Sequence, residues 1–525
     1  MYSNYQNPCQ RKILLKNKLL LLSSLIICSI IAFLYWSTLS EQTQLPSQTW
    51  SRSFPVDNVE GSFFNLKAVP EEDGYTISLL DFKNLFVLSC NKDLECKENR
   101  TIDSLTTSKN SWNNKTESYY IKDNSLMHAN ASGETEIASN VTNFSKSEDT
   151  IIYWTDDQVL TVLKSPFSSE KQQLKMNEPI IYVKILEDQT FIVTEDKNND
   201  RYILYNLSKG FSPLLQFKLA STEILSSLHI VEQKDKSYSL LVNKKIGSSG
   251  ASTTNMELTN FDLSLNQTPT FDKLSFVEKE TGIRLKNIQF PSVSQGEHGT
   301  VITFSSTFLD VTGEKVTKIF IGNLSNNSVQ ADPLTKSGTR YERSVFLNDQ
   351  TVAYLKMKGS VRYLEYSSSD EAKQLESKKI MEGDYKAAGY LLLSKSFNGF
   401  ILLLFSFVWL IIAFIITYGL LFLLQKGKLI HSYTTAFIIH LIALFSIQTY
   451  FIYRFVSLDS IIYNIPYITE NWQFPIILIV SAILSVIPLF ILRFKLIEDN
   501  FNLFVLYTSF MNLIILFFLI GPYMF

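Results

Sequence analysis

Between Phe397 and Ile520 the chain carries four apolar runs, Phe397 to Leu424, Leu429 to Tyr453, Phe474 to Leu492 and Phe501 to Ile520, none with an acidic side chain. A helix rises about 1.5 Å per residue and a hydrocarbon core is about 30 Å thick, so each run is long enough to cross it. A fifth run, Leu19 to Trp36, reads LLLLSSLIICSIIAFLYW and is free of charge. In lipid the backbone has no water to bond, and a helix satisfies its polar groups internally. The expectation is five transmembrane helices at 19–36, 397–424, 429–453, 474–492 and 501–520, behind a cytoplasmic tail of 1–18. The first run exceeds the usual apolar length of a signal peptide, about 7 to 15 residues, and no small-x-small site follows Trp36, so it reads as an uncleaved anchor. Cys28 follows Ile27, where a lipidated cysteine would ordinarily follow a small residue, and it reads as a buried apolar side chain.

Orientation follows from where the basic residues fall. Arg11, Lys12, Lys16 and Lys18 precede the first run, Lys426 and Lys428 separate the second from the third, and Arg493 and Lys495 separate the fourth from the fifth. All three clusters fall on one side of an alternating path, which the positive-inside tendency makes cytoplasmic. The connection from Arg454 to Gln473 carries Asp459, Glu470, Tyr463, Tyr467 and Trp472, a composition suited to the outer interface. Multi-pass insertion in the cell membrane would then place the C-terminus and the segment 42–395 outside the cytoplasm.

That segment is built from short β-branched and aromatic runs punctuated by Asp, Asn, Gly and Ser. It reads as all-β. One hairpin is Ile151 to Trp154, a turn at Thr155-Asp156-Asp157-Gln158, and a return at Val159 to Leu163; similar pairs begin near Tyr75, Tyr119, Thr190, Tyr238, Val301 and Thr351. Leu186-Glu187-Asp188-Gln189-Thr190 also matches Leu347-Asn348-Asp349-Gln350-Thr351, 161 residues further on, which fits four units of about 40. Four-stranded propeller blades recur at that period, so the expected fold is an extracytoplasmic β-propeller of six to eight blades, with tandem β-sandwiches as the alternative.

Chemistry is sparse. The five histidines, His128, His229, His298, His431 and His440, are scattered, and no His-Glu-x-x-His, paired-Cys, nucleophile-elbow or phosphate-loop pattern occurs. No cofactor or metal is implied. Asp196-Lys197-Asn198-Asn199-Asp200 offers alternating oxygens, but Arg201 stands where a calcium loop turns on Gly and Leu207 where it needs Glu, so a polar hairpin tip is the simpler reading. A net charge of −2 with no dense Lys/Arg cluster argues against nucleic acid. Cys90 and Cys96, six apart in an oxidising compartment, are a candidate disulfide.

Among the C-terminal runs, His440 is the ionisable side chain placed deepest, with Gln448 two turns along and Asn512 in the middle of the last run. Such groups in lipid either bond neighbouring helices together or mark a functional pathway. The expected function is a membrane-anchored surface protein without catalysis of its own. Its outer β domain would bind a ligand or protein partner, and its helices would meet the lipid bilayer and another membrane protein. Two alternatives stand beside it, an accessory subunit of a membrane transport, export or immunity complex and a membrane-tethered envelope hydrolase.

Overall fold

A computed structural model describes residues 8–103, 110–147, 149–165, 170–186, 189–209, 212–233, 237–247, 253–264, 267–296, 299–309, 315–325, 327–336, 340–426, 433–455, 465, 472–491 and 497–523. Of the sequence features above, Glu187, Asp188, His298, His431, Lys428, Arg493, Lys495 and most of the Arg454 to Gln473 connection lie outside the described residues. The chain divides into two compact units, one β (Leu45–Asp310 with Glu314–Lys378) and one helical (Met1–Gln44 with Lys379–Phe525).

The β unit is a seven-bladed propeller. Its described strands form seven separate sheets, six of four strands and one of five; five are antiparallel meanders in chain order, and blades 6 and 7 each add one strand out of that order. No pair of large sheets faces each other as tandem sandwiches would require. The second strands of the blades are Gly74–Leu80, Ser118–Lys122, Ile151–Thr155, Gln189–Asp196, Tyr238–Ile246, Gly299–Leu309 and Thr351–Lys358. Neighbouring blades cover such a strand on both faces, so its burial does not alternate: every residue of Gly74–Leu80 is buried, Thr76 and Ser78 included. Outer strands face water on one side and read as polar, as in Gly133–Ala138 (GETEIA). The fifth strand of blade 6, Ser275–Glu278, runs parallel to Ser328–Pro333 at the sheet's outer edge.

Phe54–Gly61 supplies the fourth strand of blade 7 by pairing with Val361–Ser368, so the first strand of the unit closes a sheet whose other three come last. This closure joins blades 7 and 1 through a continuous core that includes Phe54, Phe63, Leu66, Ile77, Leu355 and Leu364. Each fully buried Leu, Ile or Phe there contributes about 1.5–3 kcal/mol. The matching segments at Leu186 and Leu347 both turn from a first strand into a second, in blades 4 and 7. They are therefore three blades apart, not four. The period is longer than 40 because the blades between them have strands of nine to eleven residues, and blade 6 carries its extra strand.

The helical unit contains five helices long and apolar enough to cross a membrane. They lie within α1 (Pro8–Thr43), α3 (Glu382–Lys426), α4 (Tyr433–Phe455), α5 (Gln473–Ile491) and α6 (Ile497–Leu519); a short α2 (Glu371–Ser377) belongs to the β unit. α6 packs on α1, α3, α4 and α5. Its apolar window is 56% buried against 17% for α1, which makes α6 the central helix. Cys28 on α1 is exposed rather than buried, because that helix turns most of its apolar surface outward. Gly521 lies just past α6, where an added Cβ would sit 2.8 Å from the Gly399 backbone on α3.

Candidate functional site

The innermost strand of each blade is its first, and successive first strands lie side by side around a central channel. Five of them contain a register break, at Val141/Asn143, Ile180/Tyr182, Leu225/Ser227, Gln289/Ser292 and Glu342/Val345. An extra residue at such a bulge re-aims the side chains beyond it. Two cavities open along the channel, of about 470 and 480 Å³, and both are lined by Tyr182 and Lys184. The first also receives Lys67 and Lys146, the second His229 and Glu232.

The cations in this channel are not equivalent. Lys146 lies 4.0 Å from Glu117 and over the rings of Trp112 and Tyr119, at 4.2 and 4.9 Å from their centroids, so its charge is balanced. Lys67 bonds only neutral oxygens, the Asn110 side chain and the Ser111 carbonyl, and burial pushes it down to about 8. Lys184 makes no hydrogen bond or ion pair among the described residues, and burial lowers its pKa too. His229 is pushed down to about 4, mainly by burial and then by the charge of Lys184, and its Nε2 is buried without a partner. Opposing them, the one carboxylate among the described residues lining either cavity is Glu232.

The two faces of the propeller differ. Both chain ends leave the ring at the face that carries the hairpins between first and second strands. There Gln374 Nε2 on α2 donates to the Thr49 carbonyl at 2.9 Å, and Arg52 donates to both oxygens of Ser377. Cys90 and Cys96 are register partners on the same face, at the blade 1 hairpin over residues 91–95, with Cα atoms 4.0 Å apart and their sulfurs joined. Lys373 of α2 reaches Asp93 on that hairpin at 3.8 Å. The opposite face carries neither chain end and is untethered only in that sense. It holds a polar cleft of about 710 Å³ between blades 2 and 3, lined by Asn124, Asn140, Thr142, Asp156 and Asp157 among others. Asp123 and Asn124 both take positive φ, 51° and 61°, as a tight two-residue hairpin turn requires.

No protein-family model matches the chain, and no curated protein does. Among solved structures, the N-terminal domain of Nup159 aligns at 10% identity over 61% of this chain and 96% of that one, with a TM-score of 0.38. An S. cerevisiae assembly of a Dbp5 variant with Nup159, a Gle1 variant, IP6 and ADP aligns at 11% identity over 61% and 94%, TM-score 0.37. KlHsv2 with loop 6CD replaced by a Gly-Ser linker aligns at 10% identity over 56% and 89%, TM-score 0.34. Similarity at this level says nothing about what this chain binds.

Within the helical unit His440, Gln448 and Asn512 fall into two separate contacts. Thr417 Oγ1 on α3 donates to the Ala413 carbonyl at 2.6 Å, so it can only accept from His440 Nδ1 at 3.0 Å. The other ring nitrogen, Nε2, is hydrogen-bonded to Ser509 Oγ on α6, also at 3.0 Å. His440 thus bridges three helices. Gln448 and Asn512 bond each other directly, side chain to side chain, between α4 and α6. His440 is not part of that pair. Its true partners, Thr417 and Ser509, passed unremarked in the sequence, although Ser509 and Asn512 are three apart on one helix, a spacing that puts both on one face. Asp196 spends its oxygens on Asn198, Asn199 and Arg201 within its own hairpin. The channel residues Lys67, Lys184 and His229 were invisible as a set, because they come from three different blades.

Proposed function

We propose that this chain is a membrane-anchored binding protein whose propeller recognises a ligand or protein partner outside the cytoplasm and performs no catalysis of its own. The observation that carries the reading is the clasp of both propeller ends on one face. The other face carries neither chain end, and loops on a rigid scaffold are where recognition residues are placed. The cleft lined by Asp156 and Asp157 lies on that face. The helices anchor the propeller, and the His440 and Gln448–Asn512 contacts hold them to one another.

The test is affinity purification of full-length protein from native membranes in mild detergent, comparing wild type with Asp156→Arg/Asp157→Arg and with Glu72→Arg on the tethered face. Loss of a stoichiometric partner in the double variant alone supports the reading. Loss with Glu72→Arg alone would overturn the face assignment, and turnover of an envelope polymer by the purified chain would overturn the non-catalytic reading. The accessory-subunit alternative predicts a transporter that stays bound in both variants.

A further inference from the structure

We propose that the central channel of the propeller is a binding site for a small soluble oxyanion, a phosphate- or carboxylate-bearing solute held at Lys184, with Lys67 in the cavity on one side of it and His229 in the cavity on the other. The proposal rests on reading the propeller as a binding module and names the class of ligand it takes.

The fold leaves positive charge in the channel uncompensated. A buried cation is costly unless it is paired and hydrogen-bonded, and one left alone costs most of all. Elsewhere in this propeller the rule is obeyed: Lys244, buried in blade 5, meets Glu257 at 2.5 Å and Glu223 at 3.3 Å, and Lys356 meets Glu365 at 2.8 Å. Lys146, in the channel itself, has Glu117 and two aromatic faces. Lys184 has none of these, and its charge acts repulsively on the protonated form of His229. Lys67 has donor bonds to neutral oxygens and no carboxylate. Three features therefore meet along the two adjoining cavities: an unpaired lysine, Lys184, shared by both, a second lysine without a counter-charge in the first, and an imidazole nitrogen buried without a partner in the second.

An anion entering there would convert each cost into a charge-assisted hydrogen bond, the strong class of such bonds. Apolar ligands fit the site poorly, because they would leave the same groups unpaired. Size agrees as well, since cavities of about 470 and 480 Å³ suit a small solute. The aromatic walls supplied by Trp112, Trp154 and Tyr182 would accept the planar or apolar remainder of such a molecule.

The experiment is isothermal titration of full-length protein in detergent with inorganic phosphate, at constant ionic strength against chloride. Expected are saturable binding in wild type, a loss of roughly tenfold or more in Lys184→Gln, and no change in Lys171→Gln, an exposed control. No saturable heat in wild type, or equal binding by Lys184→Gln, would overturn the proposal. Thermal melts in chloride guard against a folding artefact: Lys184→Gln should melt no lower than wild type, since it removes an unpaired, half-buried charge, and a clear fall would mark Lys184 as structural and overturn the assignment. Phosphatidylglycerol added to the micelles should leave phosphate binding unchanged; competition would overturn the soluble-solute source. The partner experiment fails or succeeds separately, because Asp156 and Asp157 do not line the channel.

Discussion

Ser51 and Ser368 are bonded to each other twice: the Ser51 N–H donates to the Ser368 carbonyl at 2.8 Å, and the Ser368 N–H donates to Ser51 Oγ at 2.9 Å. One precedes the first strand of the propeller and the other ends its last, so this pair fastens the two ends of the ring. Both residues are buried. Ser51→Ala removes the acceptor and leaves the Ser368 N–H without a partner away from water, which costs about 1–3 kcal/mol. The propeller should melt several degrees lower, while Ser369→Ala, at an exposed neighbour, should leave the melting curve in place. An unchanged melt for Ser51→Ala would show that the clasp does not hold the ring.

The seam between blades 7 and 1 makes a second demand, on Gly74. A Cβ at this position would lie 2.0 Å from the Cys90 carbonyl oxygen, and its φ of +156° is one that side chains rarely adopt. The obstacle is backbone, so nothing flexible can move aside. Gly74→Ala is expected to force apart the second and third strands of blade 1, beside the Cys90–Cys96 pair and the core shared with blade 7. The expected loss is more than 3 kcal/mol, in the range reserved for core and backbone disruption, read as a fall in the yield of monodisperse protein and in melting temperature. Gly133→Ala, where a Cβ meets nothing within 4 Å, is the matched control and should cost far less.

The propeller was legible in the sequence because of one kind of strand. The hairpins recognised at Tyr75, Tyr119, Ile151, Thr190, Tyr238, Val301 and Thr351 each begin in or at the second strand of a different blade, so together they mark all seven. Second strands are sandwiched between neighbours and carry dense β-branched and aromatic runs, such as Ile151–Trp154, which makes them stand out. Fourth strands such as Lys171–Lys175 are largely exposed and cannot be told from loops by composition. The period misled because blade length varies: Ser111–Asn113 is a first strand of three residues, Glu223–Glu232 one of ten. The closure of Phe54–Gly61 on Val361–Ser368 has no local signal at all. For the same reason His440 was recognisable as a polar group in an apolar run, while Lys184 looked like any lysine at the end of a strand.

His229 makes stability depend on pH. Its ordinary value is about 6.5 and the folded propeller holds it at about 4. Between those values the unfolded chain takes up a proton that the folded chain refuses, so falling pH favours unfolding. The stability contributed by keeping the ring neutral is complete above about pH 6.5 and lost as pH drops through about 4, up to about 3 kcal/mol in all. Melts in chloride buffers should show wild type losing more stability than His229→Gln between about pH 7 and 4.5. Inorganic phosphate should shrink that difference, because an anion beside the ring favours its charged form. Parallel pH profiles for the two proteins would show that His229 does not titrate in this window.

Gln448 and Asn512 offer the cleanest test of how the helices are held. The pair is buried between α4 and α6, and Asn512 Oδ1 has no partner of its own, so the contact is a single hydrogen bond with little else competing for it. Hydrogen bonds between membrane helices are worth about 0.6 kcal/mol on average and at most about 2. A double-mutant cycle of Gln448→Ala and Asn512→Ala, read by detergent-induced unfolding of the full-length protein, should give a coupling energy in that range. His440→Ala breaks two bonds rather than one and strands Ser509, so it should cost more than either single variant, while Thr417→Val should cost less because Nδ1 alone loses its acceptor. A Gln448–Asn512 coupling near zero would mean that packing, not this bond, sets the register of α4 against α6. If His440→Ala unfolded like wild type yet abolished co-purification of a partner, the imidazole would belong to an interface instead of to the bundle.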